Sequence, residues 1–229
     1  MLQNHWPEVV KSELHQMESE LGDDWIDGGY FDAVDSPWSF KPEDTWPGIY
    51  QSANLIHQLY HLYKWQQTTG RNIAGLGGIV EFGAGYGALA LVANRLGFDG
   101  EYFIVDLPEF ALLQQFFLSR TARRHPDPDD HRGFYWVGMD WPGYLTDSGY
   151  DLAIAGYSLS EVDYGLRDWF FGSFPAKSYL LWYSNRFEEY DNLDYFQRYL
   201  PGTMPDIHWR HWRATHMPPE TWYSIGWKQ

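Results

Sequence analysis

Gly78-Ile79-Val80-Glu81-Phe82-Gly83-Ala84-Gly85-Tyr86-Gly87 is an apolar run that ends in an acid and gives way to three glycines at alternate positions. Ala88-Leu89-Ala90-Leu91-Val92-Ala93-Asn94-Arg95-Leu96 follows with the composition of a helix. The pattern predicts a buried strand, a tight turn and a helix. Glycine lets a backbone take left-handed angles and come close to a ligand with no Cβ in the way. The helix that opens after the turn offers free N–H groups to whatever lies above it. The stretch therefore predicts a site for a small polar ligand.

Three glycine-rich loops compete for the reading. A phosphate-cradling P-loop requires Gly-x-x-x-x-Gly-Lys-Ser/Thr, and no Lys follows these glycines. A dinucleotide loop requires Gly-x-Gly-x-x-Gly/Ala, and Gly83-x-Gly85-x-x-Ala88 satisfies it. An S-adenosylmethionine loop has the form Asp/Glu-x-Gly-x-Gly-x-Gly, and Glu81, Gly83, Gly85 and Gly87 match it in full. Glu81 separates the last two. A carboxylate repels a pyrophosphate but is acceptable beside a ligand that carries an ammonium and a sulfonium.

The next apolar run, Tyr102-Phe103-Ile104-Val105, closes on Asp106, one strand–helix–strand unit after Glu81. An acid there can accept hydrogen bonds from both hydroxyls of a ribose. Glu-x-Gly-x-Gly-x-Gly followed by Val105-Asp106-Leu107-Pro108-Glu109 resembles the class I, Rossmann-like S-adenosylmethionine-dependent methyltransferases. The Asp-Leu-Pro step is similar to one in their small-molecule O-methyltransferases. Glu81-Phe82-Gly83-Ala84-Gly85-Tyr86-Gly87 is similar to sugar O-methyltransferases. The resemblance spans roughly residues 75–185 and is specific for the cofactor, not for the acceptor.

The chain has 229 residues, 44% hydrophobic and 19% aromatic, which suits one large domain or one domain with a cap. Its formal charge of −15 repels polyphosphates and anionic membranes, so neither nucleic acid nor membrane is the expected partner. No run approaches a transmembrane helix, and the N-terminus lacks a basic start and apolar centre of a signal peptide. Without cysteine there is no disulfide or thiol chemistry. The cytoplasm is the expected compartment. A small-molecule acceptor is the expected partner, and a homo-oligomer is an allowed state.

Residues 8–21 and Tyr50–Gln67 read as helices, separated by a loop over Asp23–Pro47 rich in Asp, Gly, Pro and Trp. Residues 1–72 thus read as a helical cap and 73–229 as an α/β core. Strands are expected at Ile79–Phe82, Tyr102–Val105, Phe134–Val137, Leu152–Ala155, Tyr179–Tyr183, Ile207–Trp212 and Trp222–Trp227. Helices are expected at Ala88–Leu96, Phe110–Arg124, Leu166–Phe171 and Asn192–Leu200. Alternating strands and helices predict a Rossmann-like three-layer sandwich. The last two strands are too close for a crossover helix, so they should be antiparallel.

Ligands in such sheets bind beyond the carboxyl ends of the strands. The cofactor-binding residues expected are Glu81, Gly83, Ala84, Gly85, Gly87, Asp106, Leu107, Met139, Asp140 and Ser158. Asp140 would accept from the adenine amino group and Met139 would pack on the ring. The resembling enzymes have Gly-Asp-Met where this chain has Gly138-Met139-Asp140. Many of them also place a His base after the fourth strand. This chain has Ser160 and Glu161 there. Glu161 is therefore the first candidate base, although Ser158-x-x-Glu161 equally fits a helix capping box. His216 is a reserve base in the loop between the last strands. His57 and His61 share a helix face, read as surface or cap packing in preference to a metal pair. Glu188-Glu189-Tyr190-Asp191-Asn192 could join a metal site but fits a solvated helix start better. No metal is expected. An NAD(P)-dependent oxidoreductase and a non-catalytic cofactor-binding protein remain the alternatives.

Overall fold

The computed structural model describes residues 6–21, 53–122, 132–138, 149–217 and 220–229. The expected loop over Asp23–Pro47, the residues Met139 and Asp140, and the turn Pro218-Pro219 lie outside the described residues.

Strands β1 (Gly78–Phe82), β2 (Glu101–Val105), β3 (Gly133–Val137), β4 (Leu152–Gly156) and β5 (Ser178–Ser184) are mutually parallel. A short hairpin, β6 (Arg186–Phe187) with β7 (Tyr190–Asp191), stands outside the main sheet. The chain closes with β8 (His208–Arg213) and β9 (Thr221–Trp227), and β9 runs antiparallel to both β5 and β8. The main sheet has seven strands in the order β3-β2-β1-β4-β5-β9-β8. The order reverses between β1 and β4, which is the switch point where an open α/β sheet leaves a crevice.

The parallel strands form because their residues are apolar on both faces. All five residues of β1 are buried, as expected for a sheet covered on both sides. Alternation then sorts them into two cores. Ile79, Ile104, Ile154 and Leu180 face one core with helices α1 (Trp6–Leu21), α2 (Ala53–Thr69) and α3 (Ala88–Arg95). Val80, Val105, Ala153 and Leu181 face the other with Phe170, Phe171 and Phe174 at the end of α5 (Tyr164–Ser173). α4 (Pro108–Thr121) lies between β2 and β3 in sequence and buries only Gln114 and Leu118. α1 packs on α2, and α2 on α3. The expected cap helices thus complete one layer of the sandwich. Among the described residues no helix is long and apolar enough to cross a membrane.

Two local expectations are corrected. Ser158–Glu161 forms a 3-10 turn, not the start of a capped helix. The cap of α5 is Asp163, whose carboxylate accepts from the Leu166 N–H at 3.0 Å. The expected helix over Asn192–Leu200 is interrupted by a π-helical stretch, Tyr195–Tyr199, and is preceded by the β6–β7 hairpin. In the acidic run, Asp191 caps Asn192–Asp194 by accepting from the Asp194 N–H, and it pairs with Arg186 at 3.2 Å.

Candidate active site

The glycine turn takes the left-handed angles that its sequence calls for. φ is +70° at Gly83, +59° at Gly85 and +97° at Gly87. Gly83 is obligatory for a second reason, because a Cβ there would enter the Ser158 side chain. The Ser158 hydroxyl is already committed, donating to the Phe82 carbonyl at 2.8 Å. Gly85 differs, since a Cβ there would meet open space. Gly87 caps α3 with its backbone alone, leaving no side chain over the first turn.

That open space is a cavity of about 320 Å³, within the usual range for a small-molecule site. Glu81, Gly83, Ala84 and Gly85 form its floor. Asn54, His57 and Gln58 of α2 form one wall, and Gly156, Tyr157 and Trp182 close it from β4 and β5. No Lys or Arg is among the described lining residues. Gly156 is required where it stands, because a Cβ would enter the Trp182 indole.

Glu81 sets the electrostatics. It is buried, and Tyr102 donates its hydroxyl to Glu81 Oε2 at 2.7 Å. Burial pushes the Glu81 carboxyl up to about 8, and the nearby Asp106 charge adds to the rise against the Tyr102 hydrogen bond. Burial, together with the Glu81 charge, holds Tyr102 well above the ordinary phenol range.

Asp106 ends β2, with Oδ1 accepting from the Leu107 N–H at 2.8 Å. Gln114 of α4 donates its amide both to Asp106 Oδ2 at 2.7 Å and to the Gly85 carbonyl at 2.8 Å. This residue ties the glycine turn to the strand-two acid, and sequence reasoning missed it. Its one signal is a polar side chain on the face of α4 that also carries Leu118. Gln114 Oε1 is buried with no partner among the described residues. Asp106 keeps lone pairs for further donors. Leu107 beside it is 47% exposed.

Tyr157 has φ +53°, a conformation rarely adopted by a side-chain-bearing residue. Its N–H donates to the Trp182 carbonyl at 2.7 Å, and its hydroxyl meets Thr221 Oγ1 at 2.9 Å. Burial above all raises the phenol, with Glu13 and Glu161 contributing.

The two candidate bases lie elsewhere. Glu161 is exposed at the end of its turn and is not among the described residues lining the cavity. His216 Nε2 lies 3.3 Å from Glu13 Oε1, and its ring stands edge-on to Tyr60. His57 and His61, expected at a surface or in plain cap packing, are buried in a polar cluster with Glu13 beside the cavity. His208 and His211 are separated, the first edge-on to Trp227 and the second bonded to Ser224 Oγ at 2.7 Å.

No protein-family model and no curated protein matches this sequence. Solved structures share its fold. The methyltransferase domain of bacterial CtHen1 is similar with a TM-score of 0.54 and 13% identity, over 76% of this chain and 99% of that one. The glycopeptide N-methyltransferase MtfA complexed with sinefungin follows at 0.51 and 11%, over 73% and 92%. The small RNA methyltransferase HEN1 gives 0.52 and 11%, over 76% of this chain and 25% of that one. At these identities the likeness is one of fold. The seven-stranded, mostly parallel sheet flanked by helices matches the Rossmann-like fold of these methyltransferase structures, and a Rossmann-like sandwich is what the sequence patterning predicts.

Proposed function

We propose that this protein is an S-adenosylmethionine-dependent methyltransferase acting on a hydroxyl of a small molecule, with a sugar as the preferred class. The observation that carries the reading is the cavity floor, where a buried acid and an open glycine turn meet with no Lys or Arg among the described lining residues. A buried carboxyl pushed up to about 8 is relieved by a neighbouring cation. A ligand bearing an ammonium and a sulfonium supplies one, and a pyrophosphate does not. The open space above Gly85 and the acid at the end of β2, tied to the turn through Gln114, support the same reading. Glu81 and the turn Gly83–Gly87 would hold its amino-acid end, and Asp106, fixed by Gln114, its ribose. Leu107, Met139 and Asp140 remain the residues proposed for the base. When bound, the cofactor presents a methyl group already activated by positive sulfur.

The chain must then supply alignment and exclude water. The cavity walls from α2, β4 and β5 are suited to both. The acceptor preference rests on the Asp-Leu-Pro and Glu-Phe-Gly-Ala-Gly-Tyr-Gly resemblances. The charge of −15 argues against a polyanionic acceptor. HEN1 is a small RNA methyltransferase and MtfA a glycopeptide N-methyltransferase, and fold likeness carries no substrate with it. Incubation with cofactor carrying a labelled methyl group, over a panel of sugars and other hydroxyl compounds, tests the reading. Label on a hydroxyl is expected. Cofactor binding without transfer to any member would favour a non-catalytic binding protein.

A further inference from the structure

A buried proton-accepting chain borders the cavity, and the glycine-loop motif gives no hint of it. Glu13 of α1 is fully buried. His57 Nδ1 lies 2.8 Å from its Oε1 and 3.0 Å from its Oε2. His57 Nε2 lies 3.1 Å from His61 Nε2, and His61 Nδ1 lies 2.5 Å from the Tyr223 hydroxyl. His61 is also stacked on Trp182, with ring centroids 3.8 Å apart.

The proton positions follow from counting donors. A carboxylate only accepts, so His57 donates through Nδ1–H. With a single ring proton, placed on Nδ1, His57 has a lone pair on Nε2 that accepts from His61 Nε2–H. His61 in turn accepts at Nδ1 from the Tyr223 hydroxyl. Burial above all keeps His61 neutral and Tyr223 protonated, which agrees with this direction. The carboxylate thus fixes the tautomer that leaves His57 Nε2 basic, the arrangement of a base oriented by an acid.

Of these groups His57 lines the cavity. Among the described residues, the titratable groups around it include Glu13 from α1, His61 on its own helix, His216 near Glu13 from the turn after β8, and Tyr223 of β9 behind His61. Glu81 and Tyr157 line the same cavity from β1 and β4.

We propose that His57 is the proton acceptor of the transfer step and that Glu13, reaching across from α1, is its positioning residue. The inference rests on the methyltransferase reading. His57 Nε2 gives up the His61 N–H for the acceptor hydroxyl. It takes the hydroxyl proton as the acceptor oxygen bonds to the methyl carbon and the carbon–sulfur bond breaks, its electron pair staying on sulfur. One positive charge leaves sulfur and one appears on the imidazole beside Glu13. The site therefore gains no net charge. This base comes from the N-terminal helical layer, which explains why the segment after β4 can do without a histidine.

Three measurements on the full chain test it. Nitrogen-15 NMR of histidine-labelled protein reads the tautomer: His57 should be in the Nδ1–H form, and Glu13→Gln should mix the two forms. A His57 in the Nε2–H form in the parent overturns the proposal. Diethyl pyrocarbonate with peptide mapping reads access to Nε2. His57 should be acylated, at least tenfold more slowly with S-adenosylhomocysteine bound, while the exposed His15 and His208 react equally with and without it. An unmodified His57 beside modified His15 and His208 overturns the proposal. His57→Asn should lower turnover on a hydroxyl acceptor at least 100-fold and leave S-adenosylhomocysteine affinity within twofold. Parental turnover in that variant overturns it too. Failure of S-adenosylhomocysteine to bind the parent would instead sink the methyltransferase reading, and tautomer and acylation would still report on His57 independently.

Discussion

Gly83 of the glycine turn and Glu81 of β1 make separate predictions. Gly83 holds φ +70° with its missing Cβ against Ser158. Gly83→Ala therefore combines backbone strain with a clash, and should destabilise the fold by about 1–3 kcal/mol and abolish cofactor binding. Urea unfolding and calorimetry check the two effects. Glu81 predicts a pH dependence. Its carboxyl titrates near 8 in the fold against 4.5 when unperturbed. Between those values the folded chain holds a proton that the unfolded chain has released. The stability linked to Glu81 is thus fully present below the lower value and is lost as pH rises through the upper one, with a slope of up to ~1.4 kcal/mol per pH unit. Urea midpoints from pH 5 to 8.5 should fall in the parent and stay flatter in Glu81→Gln. A flat parent profile would show that Glu81 ionises normally. A cation bound beside Glu81 favours its ionised form, so cofactor affinity should rise with pH across the same window.

Elements were legible wherever local pattern and tertiary environment agree. Ile79–Phe82, Leu152–Ala155 and Tyr179–Tyr183 are apolar runs of strand length, and each is a buried central strand. The short gap before Trp222 made the closing hairpin antiparallel, as it is. The start of α5 was not legible, because Ser158 and Glu161 imitate a cap while the capping carboxylate belongs to Asp163. Asp163→Ala should cost about 1 kcal/mol in urea unfolding and leave cofactor affinity unchanged. The site divides along the same line. Glu81, the glycines and Asp106 occupy consecutive local motifs, so the sequence alone proposes them as a group. Gln114 and Glu13 could not. Each acts through a partner brought near only by packing, Glu13 on a helix 44 positions from His57. No spacing rule links such residues.

Over the whole molecule, charge and fold divide the question. A net charge of −15 predicts no measurable binding to duplex RNA at physiological salt, which fluorescence anisotropy would show. Salt-dependent binding would instead reveal a local basic surface and reopen the acceptor class. Fold likeness carries no acceptor with it, so the proposed function stands on cofactor binding above the glycine turn. Isothermal titration of the full chain with S-adenosylhomocysteine and, separately, with NAD tests it most directly. The account predicts one-to-one binding of S-adenosylhomocysteine, weakened in Glu81→Gln, and no heat from NAD. Binding of NAD with no binding of S-adenosylhomocysteine would contradict it.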